Sequence, residues 1–277
     1  ANFSPRLPVP RVSITATNMA QVNKDPRMRA VWLPRHGWRL VGVDADGLEA
    51  RMLAHYLTFY DGGSYRNALL TGSSKNGTDV HSRNRDALNV VGLGIDREGA
   101  KRTLYAWMYG AGDTKLGWTI RTECRRSGGK LPALKDVFLG RKAREALAVS
   151  MKGSDKLVEA VKEKVKSQGY LVGLDGRHIP IRSEHSALNF LLQGAGAIVM
   201  KKALCLFMDS PLVHENWPEM GLCANVHDEQ QIECAPELAE AVGAEFADCI
   251  RRAGEHFSLR CPLAGNYKIG DNWSVTH

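Results

Sequence analysis

Two short segments near opposite ends of the chain each place an aspartate at the end of a predicted β-strand. Residues 40–44 form an apolar run that ends in Asp44. Residues 224–232, Ala-Asn-Val-His-Asp-Glu-Gln-Gln-Ile, predict a β-hairpin with Asp228 at its tip, because alternating segments flank a histidine and an acidic pair. If these strands are neighbours in one sheet, the functional site is assembled from both ends of the chain.

Paired aspartates at strand ends favour a site for two Mg²⁺ ions. Hard cations take oxygen ligands, and a two-metal site holds the attacking and leaving oxygens of a displacement between ions roughly 3.5–4 Å apart. The pair therefore predicts phosphoryl transfer. Either aspartate alone is equally typical of a solvated turn, and the other segments of the chain decide between these interpretations.

The size and charge of the chain favour two lobes and a polyanionic partner. A chain of 277 residues is near the size at which one hydrophobic core divides. The net charge is +7 and the pI is near 9.1. Cations outnumber carboxylates most strongly between Lys115 and Glu145. Such a run is typical of a solvated helix face or of a nucleic-acid contact, and the sequence leaves both open.

The cysteines and the apolar segments favour a soluble, cytoplasmic protein. The six cysteines form no C-x-x-C pair, and several lie in apolar runs, as buried thiols of a reducing compartment do. Residues 1–12 carry prolines and charges instead of the apolar core of a secretory leader. No membrane span is predicted, since the most apolar stretch, residues 188–208, is interrupted by Asn189, Gln193, Lys201 and Lys202.

Periodicity and turn residues predict a mostly helical insertion between the two acidic strands. The expected elements are a strand over 38–44, a helix over 47–57, a Gly- and Ser-rich loop over 61–77, a segment over 81–90, helices over 96–109, 134–151 and 155–167, a turn at 173–176, a helix over 184–208 with Ser183 as its N-cap, the hairpin, and a helix over 236–257.

The helix predicted over 96–109 repeats cations and tyrosines every four residues, at Arg97, Lys101, Tyr105 and Tyr109. Residues at this spacing share one face. That face suits a triphosphate and a sugar or base, but a surface helix with packed tyrosines has the same pattern. Asn189 and Gln193 are also four apart, which is typical either of minor-groove contacts or of an internal hydrogen-bond network.

Three motifs, in order and spacing, resemble those of the DNA polymerase I family, family A. Residues 44–51, Asp-Ala-Asp-Gly-Leu-Glu-Ala-Arg, resemble motif A. The repeat from Arg97 to Tyr109-Gly resembles motif B, and residues 226–229, Val-His-Asp-Glu, resemble motif C. Asp79-Val-His81 also has a counterpart. The runs Tyr-Gly-Ala-Gly at 109–112 and Leu-Leu-Gln-Gly-Ala-Gly at 191–196 resemble replicative polymerases of podophage type in particular.

The resemblance implies an α+β fold with the right-hand palm of a polymerase, an antiparallel sheet with packed helices, and mostly helical fingers. Thumb and exonuclease domains are expected to be absent. The implied division is palm over 1–56 with motif A, fingers over 57–188 with motif B, and palm over 189–277 with motif C. The implied function is template-directed DNA synthesis in a phage-like replication machinery.

Carried over by motif position, the resemblance also implies a role for individual residues. The metal ligands for two Mg²⁺ ions, which Mn²⁺ can replace, would be Asp44, Asp228 and the Ala45 carbonyl. The catalytic residues would be Asp44, Asp228, Lys101 and Glu229. The nucleotide-binding residues would be Arg97, Lys101, Tyr105, His81, Glu49 and Tyr109. The DNA-binding residues would be Arg11, Gln21, Arg51, His185, Asn189, Gln193 and His227.

The implied partners are primer–template DNA, deoxynucleoside triphosphates (dNTPs), and a separate protein that carries thumb or exonuclease elements or acts as a processivity factor. No membrane partner is expected. Two alternatives stay open. One is a catalytically silent DNA-binding subunit descended from a polymerase, against which Asp44, Asp228 and Lys101 argue. The other is a single-subunit RNA polymerase, against which Glu49 and Glu229 argue.

Overall fold

The structure is a computed structural model that describes Val22, residues 25–130 and residues 132–277. It divides into two compact units. The sheet unit consists of the described residues up to Ala45, together with Phe207–Asp248 and Gly265–His277. The helical unit consists of Asp46–Leu206 and Cys249–Ala264. This mixture of an antiparallel sheet with many helices confirms the predicted α+β class. The predicted division into palm and fingers at particular residues stays a prediction.

Helices outnumber strands in the described part of the chain. The α-helices are α1 (Pro26–Arg29), α2 (Leu48–Asp61), α3 (Ser64–Thr71), α4 (Val80–Val90), α5 (Arg97–Met108), α6 (Asp113–Arg126), α7 (Asp136–Ser150), α8 (Ser154–Gln168), α9 (Ala187–Met208), α10 (Pro211–Asn216), α11 (Ala239–His256) and α12 (Trp273–Thr276). The strands are β1 (Arg39–Ala45), β2 (Tyr170–Val172), β3 (His178–Pro180), β4 (Met220–Val226), β5 (Glu229–Cys234) and β6 (Gly265–Gly270). Short 3₁₀ turns cover Glu184–Ser186 and Pro236–Leu238.

The sheet unit is built on four antiparallel strands in the order β4-β5-β1-β6. Side chains alternate between its two faces. On one face Val43 is paired with Tyr267, whose ring lies against Gly243 of α11. On the other face, α12 supplies Trp273 to an apolar cluster with Leu40 and with Ala224 and Val226 of β4. Elements therefore pack on both faces of the sheet, and β1 lies between β5 and β6.

Gly42 of β1 allows α12 to lie directly on the sheet. A Cβ atom at this position would collide with the Thr276 carbonyl and would come within 2.5 Å of Gln231 Nε2. No real Cβ contact is that close, so the packing of α12 requires glycine at this position. Gly42 is two residues before Asp44 and projects to the same face.

The helical unit contains a close crossing of α6 and α7. Cβ atoms at Gly117 and Gly140 would collide with the backbone carbonyls of Asp136 and Asp113, respectively. Helix α6 is missing from the predicted elements, which pass directly from the helix ending near Tyr109 to one beginning near Leu134. Its signal is present, because Leu116, Ile120 and Cys124 recur every four residues and are fully buried.

Two other predicted elements differ from the structure. The loop expected over 61–77 contains α3, because the Asp61 carboxylate accepts hydrogen bonds of 2.7 Å from the Gly63 and Tyr65 amides and so begins a helix. The helix expected over 184–208 begins as α9 at Ala187, after a 3₁₀ turn. Ser183 makes no side-chain cap hydrogen bond.

The segment Glu184–Met208 is long and apolar enough to cross a membrane by length and composition. Half of its most apolar window is buried inside the fold. The core helix of a soluble protein has the same character, so this segment is weak support for a membrane span.

Candidate functional site

The sheet unit brings Asp44, Ala45 and Asp228 to one edge. In the pairing of β1 with β5, Asp44 lies opposite Glu229. The Ala45 amide donates a 3.2 Å hydrogen bond to the carbonyl of Asp228. Residues 227–228 form the tip of the β4–β5 hairpin, where exposed His227 adopts a φ of +57°. Both acidic strand ends predicted from the sequence therefore meet.

The oxygen donors at this edge fit magnesium better than a metal that needs a closed cage of side chains. Asp44 is exposed and Asp228 is half-buried. Within the described residues, no group of three or more histidine, cysteine, aspartate or glutamate side chains is placed to hold a metal. Mg²⁺ keeps several waters and takes one or two protein carboxylates plus substrate phosphates, so two carboxylates and the Ala45 carbonyl suffice.

Glu229 lies beside Asp44, but its buried carboxylate anchors the C-terminal helix. Its Oε1 accepts hydrogen bonds of 2.5 Å from Trp273 Nε1 and Gln231 Nε2. Its Oε2 is 2.5 Å from His277 Nδ1. A buried carboxylate needs partners of this kind, and three side chains provide them. The Glu229 carboxylate therefore holds α12 in place next to Asp44 and Asp228, which form the acidic edge of the sheet.

In the helical unit, α5 presents the predicted nucleotide-binding face to the surface. Asp96 caps the helix by accepting a 2.7 Å hydrogen bond from the Gly99 amide. The tyrosine rings at 105 and 109 are 6.1 Å apart between centroids. The opposite face is buried and consists of Gly99, Ala100, Thr103, Leu104, Trp107 and Met108. Burial of that face leaves the four predicted residues partly exposed along the other.

Arg97 is held by Asp79, which is not among the site residues predicted from the sequence. Arg97 Nε donates to Asp79 Oδ2 over 3.0 Å, and Nη2 donates to the same oxygen. Asp79 Oδ1 accepts a 3.0 Å hydrogen bond from the Ser82 amide and so caps α4. Burial by itself would raise the pKa of Asp79, but the hydrogen bonds from Arg97 and Ser82 lower it to about 2.

His81, in the first turn of α4, is half-buried near Arg97 and Lys101. Burial lowers its pKa, and the charges of those two cations lower it further. Its Nδ1 is buried without a hydrogen-bond partner in the described part of the chain. A lowered pKa favours the neutral imidazole, so His81 adds no positive charge beside the two cations.

The hydroxyl of Tyr109 donates a 3.2 Å hydrogen bond to Glu49 Oε1. Glu49 is in the first turn of α2, which begins after Gly47 with a φ of +52°. Tyr109 is at the C-terminal end of α5 and is 44% exposed. The contact joins one predicted residue of motif A to one of motif B.

The predicted DNA-binding residues are placed differently from one another. Arg51 donates to the Asp46 carbonyl over 2.6 Å and to the Pro262 carbonyl, so its guanidinium is bound to backbone. His185 is exposed, and its carbonyl is 2.5 Å from where a Cβ of Gly110, with a φ of +77°, would lie. Arg11 and Gln21 lie outside the described residues.

The amide pair on α9 also differs in environment. Gln193 is exposed, whereas Asn189 is half-buried and its Oδ1 lacks a hydrogen-bond partner among the residues that the structure describes. An internal hydrogen-bond network would have satisfied that oxygen. That oxygen is buried, so the structure leaves both interpretations of the amide pair open.

Part of the basic run between Lys115 and Glu145 serves the packing of helices. Arg121 pairs with Asp136 at 2.8 Å, and Arg144 pairs with Asp113 at 3.0 Å. Arg126 pairs with both Asp96 and Glu123. These arginines link α5, α6 and α7 through ion pairs, which accounts for part of the run without nucleic acid.

Comparisons with known proteins agree with the motifs. The family model for DNA polymerase family A matches residues 9–275. The chain is 34% identical over 250 residues to the DNA-directed DNA polymerase of Escherichia phage T7, covering 87% of this chain and 34% of that protein. It is equally similar, with the same coverage, to the DNA-directed DNA polymerase of Enterobacteria phage T3. Identity to DNA polymerase I of Aquifex aeolicus is 25% over 284 residues, covering 95% of this chain and 44% of that protein.

Proposed function

The chain belongs to DNA polymerase family A, and we propose that it is the catalytic region of a template-directed DNA polymerase that adds deoxynucleotides to a primer 3′ end and releases pyrophosphate. The chain spans about a third of the length of the phage relatives that it matches. The observation that carries the proposal is the meeting of Asp44 and Asp228 at one sheet edge, supported by the 3.2 Å hydrogen bond between Ala45 and Asp228.

Asp44, Asp228 and the Ala45 carbonyl would hold two Mg²⁺ ions, for which Mn²⁺ can substitute. When bound, such ions act as Lewis acids that favour ionisation of the attacking hydroxyl and neutralise charge on the phosphate oxygens. The protein contributes by fixing both aspartates on backbone that the β1–β5 pairing holds in register. Glu229 keeps that register by anchoring α12 over the same face.

Arg97, Lys101 and His81 would bind the triphosphate of the incoming nucleotide. In phosphoryl transfer, catalysis is mainly positioning and electrostatic stabilisation by cations. We assign to Lys101 the neutralisation of the departing pyrophosphate, by charge or by donation of its ammonium proton. His81, kept neutral by burial and by its cationic neighbours, would donate a hydrogen bond without adding charge.

Glu49, Tyr105 and Tyr109 would select the sugar and position the templating base. The Tyr109–Glu49 hydrogen bond fixes the carboxylate at the end of the tyrosine pair. A carboxylate held there would disfavour a ribose 2′-hydroxyl. Asn189 would contact the minor groove of the primer terminus. The other proposed DNA contacts are Arg11, Gln21, Arg51, His185, Gln193 and His227.

The proposed partners are primer–template DNA, dNTPs and a further polypeptide that carries thumb or exonuclease elements or acts as a processivity factor. The proposed location is the cytoplasm, within a phage-like replication machinery. Phosphate contacts supply most of the affinity in such complexes, and a further polypeptide would add them along the upstream duplex. Solution mass and product length test this part of the proposal. If a monomer of this chain synthesises long products unaided, the proposal of a further polypeptide is wrong.

Primer extension in Mg²⁺ tests the activity. The wild-type chain should extend a primed template with the complementary dNTP, and an Asp44→Asn, Asp228→Asn double variant should not. Binding of DNA without extension would identify a silent DNA-binding subunit instead. Equal or preferential use of ribonucleotides would identify an RNA polymerase.

A further inference from the structure

Two aspartates in the helical unit have the same local role but different arginine partners. Asp79 caps α4 and binds Arg97, whereas Asp96 caps α5 and binds Arg126. Each accepts a backbone N–H at the first turn of a helix and pairs with one guanidinium. Only Arg97 belongs to the proposed triphosphate-binding face. Comparing Asp79 with Asp96 therefore distinguishes the helix-capping role, which both share, from a role at the proposed site.

The geometry of Arg97 leaves donors available while Asp79 holds it. Nε and Nη2 of the Arg97 guanidinium donate to Asp79, and Nη1 donates to Glu98 Oε1 over 3.0 Å. An arginine has five N–H donors in a fixed planar fork. Three are used by these two carboxylates, and two remain. A phosphate can therefore bind Arg97 without displacing Asp79.

Asp79 also connects the two helices that carry the proposed triphosphate ligands. Its Oδ1 is bound to the first turn of α4, where His81 lies, and its Oδ2 is bound to the first residue of α5. The side chain of Asp79 is 13% exposed, so water competes weakly for these contacts. One carboxylate thereby sets the position of Arg97 relative to His81.

We propose that Asp79 is a positioning residue for the incoming nucleotide: it fixes the Arg97 guanidinium and the start of α4 in the arrangement that receives the triphosphate of a dNTP. This rests on the proposed polymerase function. Asp79 does not touch the nucleotide, and it acts through Arg97.

The first test compares Asp79→Asn with Asp96→Asn in single-nucleotide primer extension. Asparagine caps a helix as well as aspartate does, so each variant removes the charged contact to arginine and keeps the cap. Asp79→Asn should raise the KM for dNTP about tenfold while kcat falls less than about threefold, because loss of ground-state binding appears mainly in KM. Asp96→Asn should leave KM within about twofold of wild type. An unchanged KM in Asp79→Asn, or an equal rise in both variants, would overturn the proposal.

The second test asks whether the effect passes through Arg97. In an Arg97→Ala background, Asp79→Asn should change KM by less than about twofold, since residues that act through one contact are not additive. A full tenfold effect in that background would refute the proposal. Primer–template affinity, measured by fluorescence anisotropy, should be equal in wild type and Asp79→Asn.

Equilibrium titration with dNTP and Mg²⁺ in the absence of DNA gives a readout that does not depend on extension. Weaker dNTP binding by Asp79→Asn than by wild type and Asp96→Asn supports the proposal, and equal binding by all three contradicts it. A wild-type chain that fails to extend primers would refute the proposed function, while this titration would still decide the role of Asp79.

Discussion

Asp44 and Glu229 lie directly opposite each other in the pairing of β1 and β5, but their carboxylates are in different environments. Asp44 is exposed at the edge, whereas Glu229 is 4% exposed and accepts a hydrogen bond from Trp273. Adjacent acidic residues in a sheet need not share a function. The contrast leads to two separate predictions, one for catalysis and one for stability.

The first prediction is that Asp44→Asn or Asp228→Asn abolishes nucleotide incorporation and leaves DNA binding nearly unchanged. Loss of a metal-binding carboxylate should cost several kcal/mol in the transition state, or roughly a thousandfold or more in rate. Single-turnover extension measures the rate, and anisotropy with labelled DNA measures binding. Extension at a near wild-type rate by either variant would remove the two-metal assignment.

The second prediction is that Glu229→Gln lowers the free energy of unfolding by roughly 1–3 kcal/mol, whereas Asp44→Asn changes it by less than ~0.5 kcal/mol. Removing the buried charge weakens the bonds from Trp273, Gln231 and His277. Urea denaturation followed by tryptophan fluorescence measures both variants. The opposite ranking would mean that Glu229 is not a structural anchor.

The third prediction concerns sugar selection at the Tyr109–Glu49 hydrogen bond. Glu49→Ala should raise the ratio of ribonucleotide to deoxynucleotide incorporation by about tenfold, because a carboxylate disfavours the 2′-hydroxyl sterically and by desolvation. Tyr109→Phe keeps the ring and removes only the bond that positions Glu49, so it should raise the same ratio by a smaller factor. Competition assays with matched ribo- and deoxynucleotides measure it. An unchanged ratio in Glu49→Ala would exclude this role.

The fourth prediction concerns Tyr105, one of the predicted nucleotide-binding residues on α5. Tyr105→Phe should make the enzyme discriminate against dideoxynucleotides, because in the proposed site the tyrosine hydroxyl would supply the hydrogen bond that the missing 3′-hydroxyl cannot make. A dideoxy titration of primer extension gives the ratio of termination to elongation. The same ratio in wild type and variant would remove the role assigned to the hydroxyl.

The fifth prediction is a pH dependence of stability that arises from His55. Burial, together with the charge of Arg260, lowers the pKa of His55 to about 4, and its Nδ1 accepts a hydrogen bond from the Arg260 amide. In the unfolded chain the pKa is about 6.5, so this stability is complete above about pH 6.5 and is lost as the pH falls towards 4. Between about pH 7.5 and about pH 4.5, wild type should lose roughly 2–3 kcal/mol more than His55→Asn, whose amide oxygen replaces Nδ1. Equal losses in urea denaturation would contradict this assignment.

The sequence predicts the acidic edge well because its signals are local. Alternation ending in Asp44 and the hairpin residues around Asp228 specify strands and a turn without reference to distant contacts, and the structure confirms both. Side-chain partners that lie far along the chain are not predicted. Trp273 donates a hydrogen bond to Glu229, and Arg97 of α5 donates to Asp79. Neither partner can be predicted from hydrophobic periodicity. Arg51 is predicted to contact DNA, and its guanidinium also donates to two backbone carbonyls that the sequence does not reveal.

The absence of a side chain at Gly42 decides how the acidic edge can be engineered. Any larger residue there would collide with Thr276. The collision would displace the C-terminal helix and separate Trp273 from Glu229. Changes that tune the environment of Asp44 must therefore enter from its neighbours: from β6, where Asn266 is its register partner, or from the hairpin tip at His227. Redesign of the metal preference proposed for this chain would begin at those two positions, with β1 itself left unchanged.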